Sequence, residues 1–332
     1  MSEAAPQADN PIDLPTGEPV PAPPAASAAP APPFSNKQPS RPFTARNLAT
    51  KTDAFLTHLQ RCLATPSGID TVLLFICYTS RLTGALSTTL SQSLLRRDLV
   101  ALALTLPRKQ TAVIVSSSSK SPRTLAVAQL AAVLGARLKS LGSLASEART
   151  IARLWGLLGM YFWAKKLTVQ LLASKRRTVS EKAAAAADDA TAEPQESKLA
   201  TLVSWVQLIS CTAFQYLENG AYLSGKGVLG WTPKEQGRAY VLSARWLAVY
   251  TGLEIGKLLA AIVARRDVKV ESEEDKAETE AVRRSMVINL AWTPLTLHWA
   301  AETGFLSDLA VGLGGSIPGV VQMRKLWRET AQ

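Results

Sequence analysis

The residues with the clearest chemical potential form an apolar series at helical spacing in the middle of the chain. Steps of three, four and seven residues place such a series on one side of an α-helix. The members of this apolar stripe are Leu141, Leu144, Ile151, Leu154, Trp155, Leu158 and Phe162. Basic side chains accompany the stripe at Arg149, Arg153, Lys165 and Lys166. An apolar stripe beside cations is typical of a helix that lies in the headgroup layer of a membrane.

The same spacing also fits a surface helix of a bundle, with the stripe in a core and the arginines in water. The positive charge of the chain is concentrated around the stripe. The formal net charge is +11, and segments 51–138 and 139–182 carry +7 each, whereas 1–50 and 183–332 are slightly acidic. A basic surface attracts nucleic acid or anionic lipid through the same electrostatics. Because the apolar stripe lies in the basic segment, we expect an anionic phospholipid membrane and no nucleic acid.

No residues in the chain have the spacing of a catalytic or metal-binding motif. The two histidines, His58 and His298, leave little for acid–base catalysis, and no nucleophile elbow, zinc-protease, Walker or kinase signature is present. The cysteines Cys62, Cys77 and Cys211 are scattered in apolar contexts, where we expect packed thiols in a reducing compartment. We therefore predict a protein that is not an enzyme and has no cofactor and no metal site.

The elements that must position these residues are helical. Proline and alanine dominate residues 1–47, which predicts a disordered arm. Residues 48–328 read as a helical membrane domain with a basic amphipathic half (48–173), a charged linker (174–198) and an apolar membrane half (199–328). The predicted fold class is all-α: a membrane-associated helical bundle with amphipathic helices and a C-terminal apolar helical hairpin.

Leu199–Leu217 is the best candidate for a membrane span. It has no charged residue, and a helix of about 19 residues extends roughly 29 Å, enough for the hydrocarbon core. A buried helix of a soluble bundle remains the alternative. The apolar run in Thr71–Leu86 is too short to span, and Tyr240–Ala264 reads as a second amphipathic helix because charged residues interrupt it.

Two apolar segments near the end of the chain, Ser285–Ala301 and Phe305–Met323, predict the helical hairpin. Gly315 and Gly319 have the spacing of closely packed membrane helices, through which copies of the chain would self-associate as a homo-oligomer.

Three segments and the closing hairpin, taken in order, resemble the peroxisomal biogenesis factor 11 family of peroxisomal membrane proteins. Thr65–Leu82 is similar to the opening pattern, although Ile69 stands before Asp70 where the family usually has arginine. Ala148–Leu154 resembles the Arg-x-x-x-Arg-Leu core of the family's amphipathic helix. Phe214–Leu223 resembles its acidic residue followed by Tyr-Leu. The gamma-like or C-type branch is the most similar.

The resemblance covers about residues 50–328 in separated islands, and it implies a function. A family member is expected in the peroxisomal membrane, where insertion of the amphipathic helix remodels and elongates the membrane before peroxisome fission. It also implies a dynamin-like fission GTPase and its adaptor as partners. The apolar stripe would then enter one leaflet, and Arg149, Arg153, Lys165 and Lys166 would bind lipid headgroups.

Two other functions remain open. A pore or transporter for small metabolites would use Arg245, Glu254 and Lys257 to line a polar path among helices. A soluble helical scaffold would bury the stripe in its own core.

Overall fold

The computed structural model describes residues 45–105, 122–184, 198–265 and 272–331, and these residues form eight helices and no strands. The prediction of an all-α fold is confirmed. The helices are α1 (Ala45–Cys62), α2 (Pro66–Thr105), α3 (Pro122–Arg153), α4 (Gly156–Ala184), α5 (Lys198–Gly225), α6 (Pro233–Ala264), α7 (Glu273–Ala300) and α8 (Asp308–Glu329). Residues 1–44 of the predicted arm (1–47) lie outside the described residues, and its last three residues begin α1. Helix α4 extends into the predicted linker, whose residues 185–197 also lie outside them.

Helix α2 is much longer than its apolar pattern predicts. Threonines follow the apolar run, and their hydroxyls donate to carbonyl oxygens one turn earlier, as from Thr83 to Thr79 and from Thr88 to Gly84. Such bonds satisfy polar side chains without breaking a helix. The prediction that this helix is too short to span is therefore wrong, because Pro66–Leu95 is long and apolar enough.

Within the described residues, three helical segments are long and apolar enough to cross a membrane: Pro66–Leu95, Arg123–Arg153 and Pro233–Ala264. The chain therefore has the helices of a membrane protein. The third contains Arg245, Glu254 and Lys257, and the sequence predicts an amphipathic helix there, but its length and mean hydropathy also make it a candidate span. Leu199–Leu217, the best candidate from the sequence, is not among the three, because polar side chains such as Gln207 and Gln215 lower its mean hydropathy. The helix buries both of these side chains.

Helices α2, α3 and α8 pack together, and α5, α6 and α7 form a second set of neighbours that joins the first through α7 and α8. One core cluster contains Leu74 and Tyr78 of α2 together with Ile288 and Trp292 of α7. A second cluster joins α4 to α5 and α6. The stripe residues lie at the outer side of both sets.

Helices α7 and α8 form the predicted C-terminal hairpin. The turn between them is fixed by His298, whose Nδ1 accepts a hydrogen bond from the backbone N–H of Leu306 at 2.9 Å. Gly315 and Gly319 of α8 face α2, where a Cβ at Gly315 would overlap the ring of Tyr78 and one at Gly319 would lie 3.2 Å from the Cα of Phe75. The close packing expected of these glycines therefore occurs within the chain, and neither glycine is free for a contact between copies of the chain.

Helix α1 ends against the end of α8. The Nε2 atom of His58 lies 3.0 Å from both the carbonyl oxygen of Trp327 and the hydroxyl of Thr330. The imidazole also stacks on the Trp327 ring, with centroids 3.7 Å apart. The buried thiol of Cys62 completes the contact, 3.2 Å from the Thr330 hydroxyl. These contacts hold the beginning of α2 beside the end of α8.

Candidate membrane-contact surface

The apolar stripe is largely exposed. Leu141, Leu144, Ile151, Trp155, Leu158 and Phe162 are all exposed, and only Leu154 is half-buried. Trp155 keeps 78% of its surface accessible and Leu144 keeps 64%. Exposed apolar side chains grouped in this way mark a contact with lipid or with another protein. The interpretation of the stripe as the core-facing side of a bundle helix does not hold.

The stripe does not lie on one continuous helix, as the sequence predicts. Helix α3 ends at Arg153 and α4 begins at Gly156, with a turn at Leu154 and Trp155. Because glycine is a weak helix former, Gly156 favours an interruption here. The stripe is therefore interrupted at its most exposed residue, Trp155, and we call the two helix ends and this turn the elbow.

Helix α4 has two apolar sides. Met160 is buried among Leu208, Cys211 and Tyr250, and Trp163 packs against the same cluster. Burial in this cluster holds α4 on the α5–α6 pair and leaves its other side exposed. That exposed side carries Leu158 and Phe162 together with the following residues Lys165 and Lys166, Val169 and Leu172. Lys165 and Lys166 thus accompany the stripe and do not lie opposite it, which suits long side chains whose charged ends reach headgroups.

Arg149 is not available to lipid, and its predicted role in binding headgroups is wrong. Its Nε and Nη2 atoms donate to the two carboxylate oxygens of Asp70 at 2.7 and 3.0 Å. Only 7% of the Arg149 side chain is exposed. Helical periodicity could not reveal this, because the partner lies on α2, 79 residues earlier in the chain.

Arg153 is also committed to an internal ion pair. Its Nη2 lies 3.1 Å from Glu218 on α5, and both side chains are more than three-quarters buried. Of the four predicted headgroup ligands, only Lys165 and Lys166 remain exposed. The basic part of the contact surface therefore lies on α4.

Helix α5 supplies the groups that satisfy the backbone at the elbow. The side-chain amide of Gln215 donates to the carbonyl oxygen of Arg153 at 3.0 Å, and that of Asn219 donates to the carbonyl oxygen of Leu154 at 3.3 Å. Gln215 also donates to the Asn219 side-chain oxygen at 2.7 Å. Carbonyls at a helix end have no partner within the helix and need one elsewhere when buried.

The sequence did not predict that Gln215 and Asn219 donate hydrogen bonds to the backbone of the elbow. The available signal was their spacing of four residues, with Glu218 between them, in an otherwise apolar helix. Polar residues that recur on one side of an apolar helix indicate a buried polar contact.

A further contact ties the end of α5 to α3. The carboxylate of Glu147 accepts hydrogen bonds from the Tyr222 hydroxyl, at 3.1 Å, and from the Lys226 ammonium. The hydrogen bond from Lys226 to this carboxylate raises the pKa of the lysine. With the Arg153–Glu218 pair, this contact fixes the end of α3 to α5.

The three segments that resemble the peroxisomal family meet at the elbow. Asp70 from the first segment pairs with Arg149 of the second. Arg153 and Leu154 of the second contact Gln215, Glu218 and Asn219 of the third. The second segment therefore joins the first and the third through polar contacts between residues 62 to 79 positions apart, and these contacts, the polar cluster, position the stripe.

The polar path expected for a transporter is only partly assembled. Glu254 is 2% exposed and accepts hydrogen bonds from Gln207 at 2.7 Å and Lys257 at 3.3 Å. Arg245 instead donates to the carbonyl oxygen of Ala300 at the end of α7. Arg245 therefore does not join the Glu254 group.

Within the described residues, no three His, Cys, Asp or Glu side chains are grouped as metal ligands. Cys62, Cys77 and Cys211 are buried free thiols.

No protein-family model, curated protein or solved structure matches this chain. The resemblance to the peroxisomal family therefore stays a prediction from the motifs in the sequence.

Proposed function

We propose that this chain is a peroxisomal membrane protein that bends and elongates the membrane by inserting the elbow and its apolar stripe into one leaflet. The observation that carries the proposal is the exposure of six of the seven stripe residues beside two exposed lysines. A purely soluble protein seldom leaves such a series of large apolar side chains in water.

Insertion is favoured by two terms. Moving a large apolar side chain out of water contributes roughly 1.5–3 kcal/mol when it is fully buried. Lys165 and Lys166 each add about 1 kcal/mol near anionic headgroups. Insertion of the elbow increases the area of one leaflet alone, and the bilayer bends so that this leaflet forms the convex side. The polar cluster beneath the elbow holds α3 and α4 in place so that the inserted shape persists.

The peroxisomal location and the fission partners come from the family resemblance. The contacts that join the three resembling segments support the proposal, because polar residues from all three hold the elbow in place. A dynamin-like GTPase and its adaptor would act on the narrowed membrane afterwards. A homo-oligomer would concentrate the inserted elbows.

The test replaces exposed stripe residues in the full-length chain. We expect the double variant Trp155→Glu, Leu158→Glu, reconstituted into anionic vesicles, to lose most of the tubulation that the wild-type chain produces. Both side chains are exposed, so the melting temperature should change little. Electron microscopy of the vesicles measures the tubules. Val228→Glu is the matched control, because Val228 is 66% exposed in the turn that follows α5 and does not belong to the stripe.

The proposal fails if the double variant tubulates vesicles as well as the wild type does. It also fails if Val228→Glu abolishes tubulation to the same extent. In cells, the peroxisomal part fails if the tagged protein is found on another organelle. Resistance to carbonate extraction separates an embedded protein from a soluble scaffold, which carbonate releases.

A pore for small metabolites is the second candidate, and the buried residues Glu254 and Gln207, with the exposed Lys257 beside them, favour it. Buried ionisable groups in a potential span often lie on a path for ions or substrates. Conductance of planar bilayers with the reconstituted chain tests this function. Glu254→Gln should change that conductance, whereas the membrane-bending proposal requires no conductance at all.

A further inference from the structure

A polar cavity of about 200 Å³ lies between α2, α3 and the beginning of α8. It is lined by Arg81, Lys139, Gly142, Ser143, Ser146 and Asp308. Two cations and one carboxylate give this lining an excess of one positive charge, and the serine hydroxyls add hydrogen-bond donors. The cavity holds more than a single ordered water. Its composition is that of an anion site.

Arg81 is the second cation of this cavity, and its charge acts on Asp308 without a direct ion pair. Within the described part of the chain, no hydrogen bond or ion pair engages its guanidinium. Lys139 donates to Asp308 at 2.9 Å but keeps 42% of its side chain exposed, so its ammonium can contact a second anion. This hydrogen bond lowers the pKa of Asp308, which is therefore ionised at neutral pH and competes with a ligand for Lys139.

The close approach of α2 and α3 forms the cavity. A Cβ at Gly142 would lie 2.9 Å from the carbonyl oxygen of Cys77 and 3.3 Å from the Cγ of Arg81, so only glycine allows this spacing. The side chains of Lys139 and Asp308 are both exposed, at 42% and 66%, so the cavity opens to the surface beside the turn that precedes α8, where an anion can enter.

We propose that the cavity between Arg81 and Lys139 binds a phosphate monoester group, presented either by a lipid headgroup or by a small soluble phosphate. A guanidinium matches two phosphate oxygens, and a third oxygen is left for Lys139 or a serine hydroxyl. A phosphate monoester carries up to two negative charges, enough to balance both cations, whereas a carboxylate carries one. The site does not use the apolar stripe, so it can fail while the membrane-bending proposal holds, and the reverse is equally true.

The experiment uses the purified full-length chain in a neutral detergent at constant ionic strength. Calorimetric titration with inorganic phosphate, short-chain phosphatidic acid and short-chain phosphatidylcholine measures binding. We expect binding of at least one of the first two probes and none of phosphatidylcholine, which has no monoester. Binding of phosphatidic acid alone identifies a lipid headgroup as the source, and binding of inorganic phosphate identifies a soluble ligand.

The variants have opposite expected effects. Arg81→Gln should weaken binding at least about tenfold, the ratio that corresponds to one hydrogen bond to a charged group. Asp308→Asn should strengthen binding, because it removes the competing carboxylate. Arg137→Gln removes an exposed cation of α3 that does not line the cavity and should leave binding unchanged. Arg81→Lys keeps the charge and should restore part of the affinity, and melting temperatures check that each variant is folded.

Three results would overturn the proposal. The first is that neither phosphate probe binds the wild-type chain. The second is that Arg137→Gln weakens binding as much as Arg81→Gln, which would indicate general attraction to a basic surface. The third is that folded Asp308→Asn binds more weakly than the wild type.

Discussion

The guanidinium of Arg149 and the carboxylate of Asp70 form two hydrogen bonds in a largely buried position. Removing two charges from water is costly, and a pair with good geometry recovers that cost only while both partners are present. The pair links α2 to the end of α3 and therefore supports the elbow. At the scale of single residues, these charges serve the internal structure and leave lipid contact to Lys165 and Lys166.

Arg149→Gln should destabilise the folded chain by about 3 kcal/mol, near the lower end for broken buried pairs, because Asp70 keeps a quarter of its side chain exposed. The melting temperature in detergent measures the change. The exposed residue Arg137, changed to Gln in the same way, should have no comparable effect. Equal melting temperatures for Arg149→Gln and the wild type would contradict this account.

Which charged residues bind lipid could be predicted only in part. The exposure of Trp155 and Leu158 follows from a helical pattern that can be read locally. The burial of Arg149 depends on Asp70, which is far away in the chain, and no local pattern contains that information. A single arginine on a helix has the same appearance whether it faces a headgroup or an internal carboxylate.

At the scale of elements, the elbow depends on α5. The turn at Leu154 and Trp155 leaves carbonyl oxygens without helical partners, and the amides of Gln215 and Asn219 supply them. The direction in which α4 leaves α3 is therefore fixed by a third helix. This arrangement requires two buried amide side chains in α5, and these polar groups make α5 less suited to span a membrane.

Gln215→Leu should cost about 1–3 kcal/mol, because a buried carbonyl oxygen loses its donor. It should also broaden the range of distances between spin labels attached at positions 144 and 162, on either side of the elbow. Tyr216→Leu changes an exposed neighbour on α5 and should leave both measurements unaltered. If the label distances in Gln215→Leu match those of the wild type, α5 does not fix the elbow.

The existence of α5, α6, α7 and α8 could be read from the sequence, because long apolar periods determine helices. The length of α2 and the break after Arg153 could not. Hydroxyl side chains such as Thr83 and Thr88 are compatible with both a helix and a loop, and their bonds to the preceding turn decide the matter. The break requires Gln215 and Asn219 from another helix, although Gly156 marks its position.

At the scale of the whole molecule, α8 joins the two sets of helices by packing closely on α2. Glycines at 312, 315 and 319 allow the two backbones to approach. Small residues serve this purpose in membrane helices, where apolar surface alone gives little preference for one neighbour. The packing of α8 on α2 therefore sets how the hairpin is attached to the rest.

Gly315→Leu should lower the melting temperature, since overpacking costs about 1–3 kcal/mol and the Tyr78 ring leaves no space for a side chain. Light scattering in detergent should show an unchanged oligomeric state. Gly252→Leu is the matched control, because nothing lies within 4 Å of a Cβ at that position. A folded Gly315→Leu variant with fewer copies per particle would show that this glycine acts between chains.

The contact of His58 with Trp327 and Thr330 places the beginning of α2 and the end of α8 together. Two points so close must face the same compartment, so the stretch between them traverses the bilayer an even number of times. The part of the chain that the structure describes contains three potential spans, an odd number. If all three cross the bilayer, a fourth crossing between the two points is required, and a protease confined to one compartment would reach both points or neither.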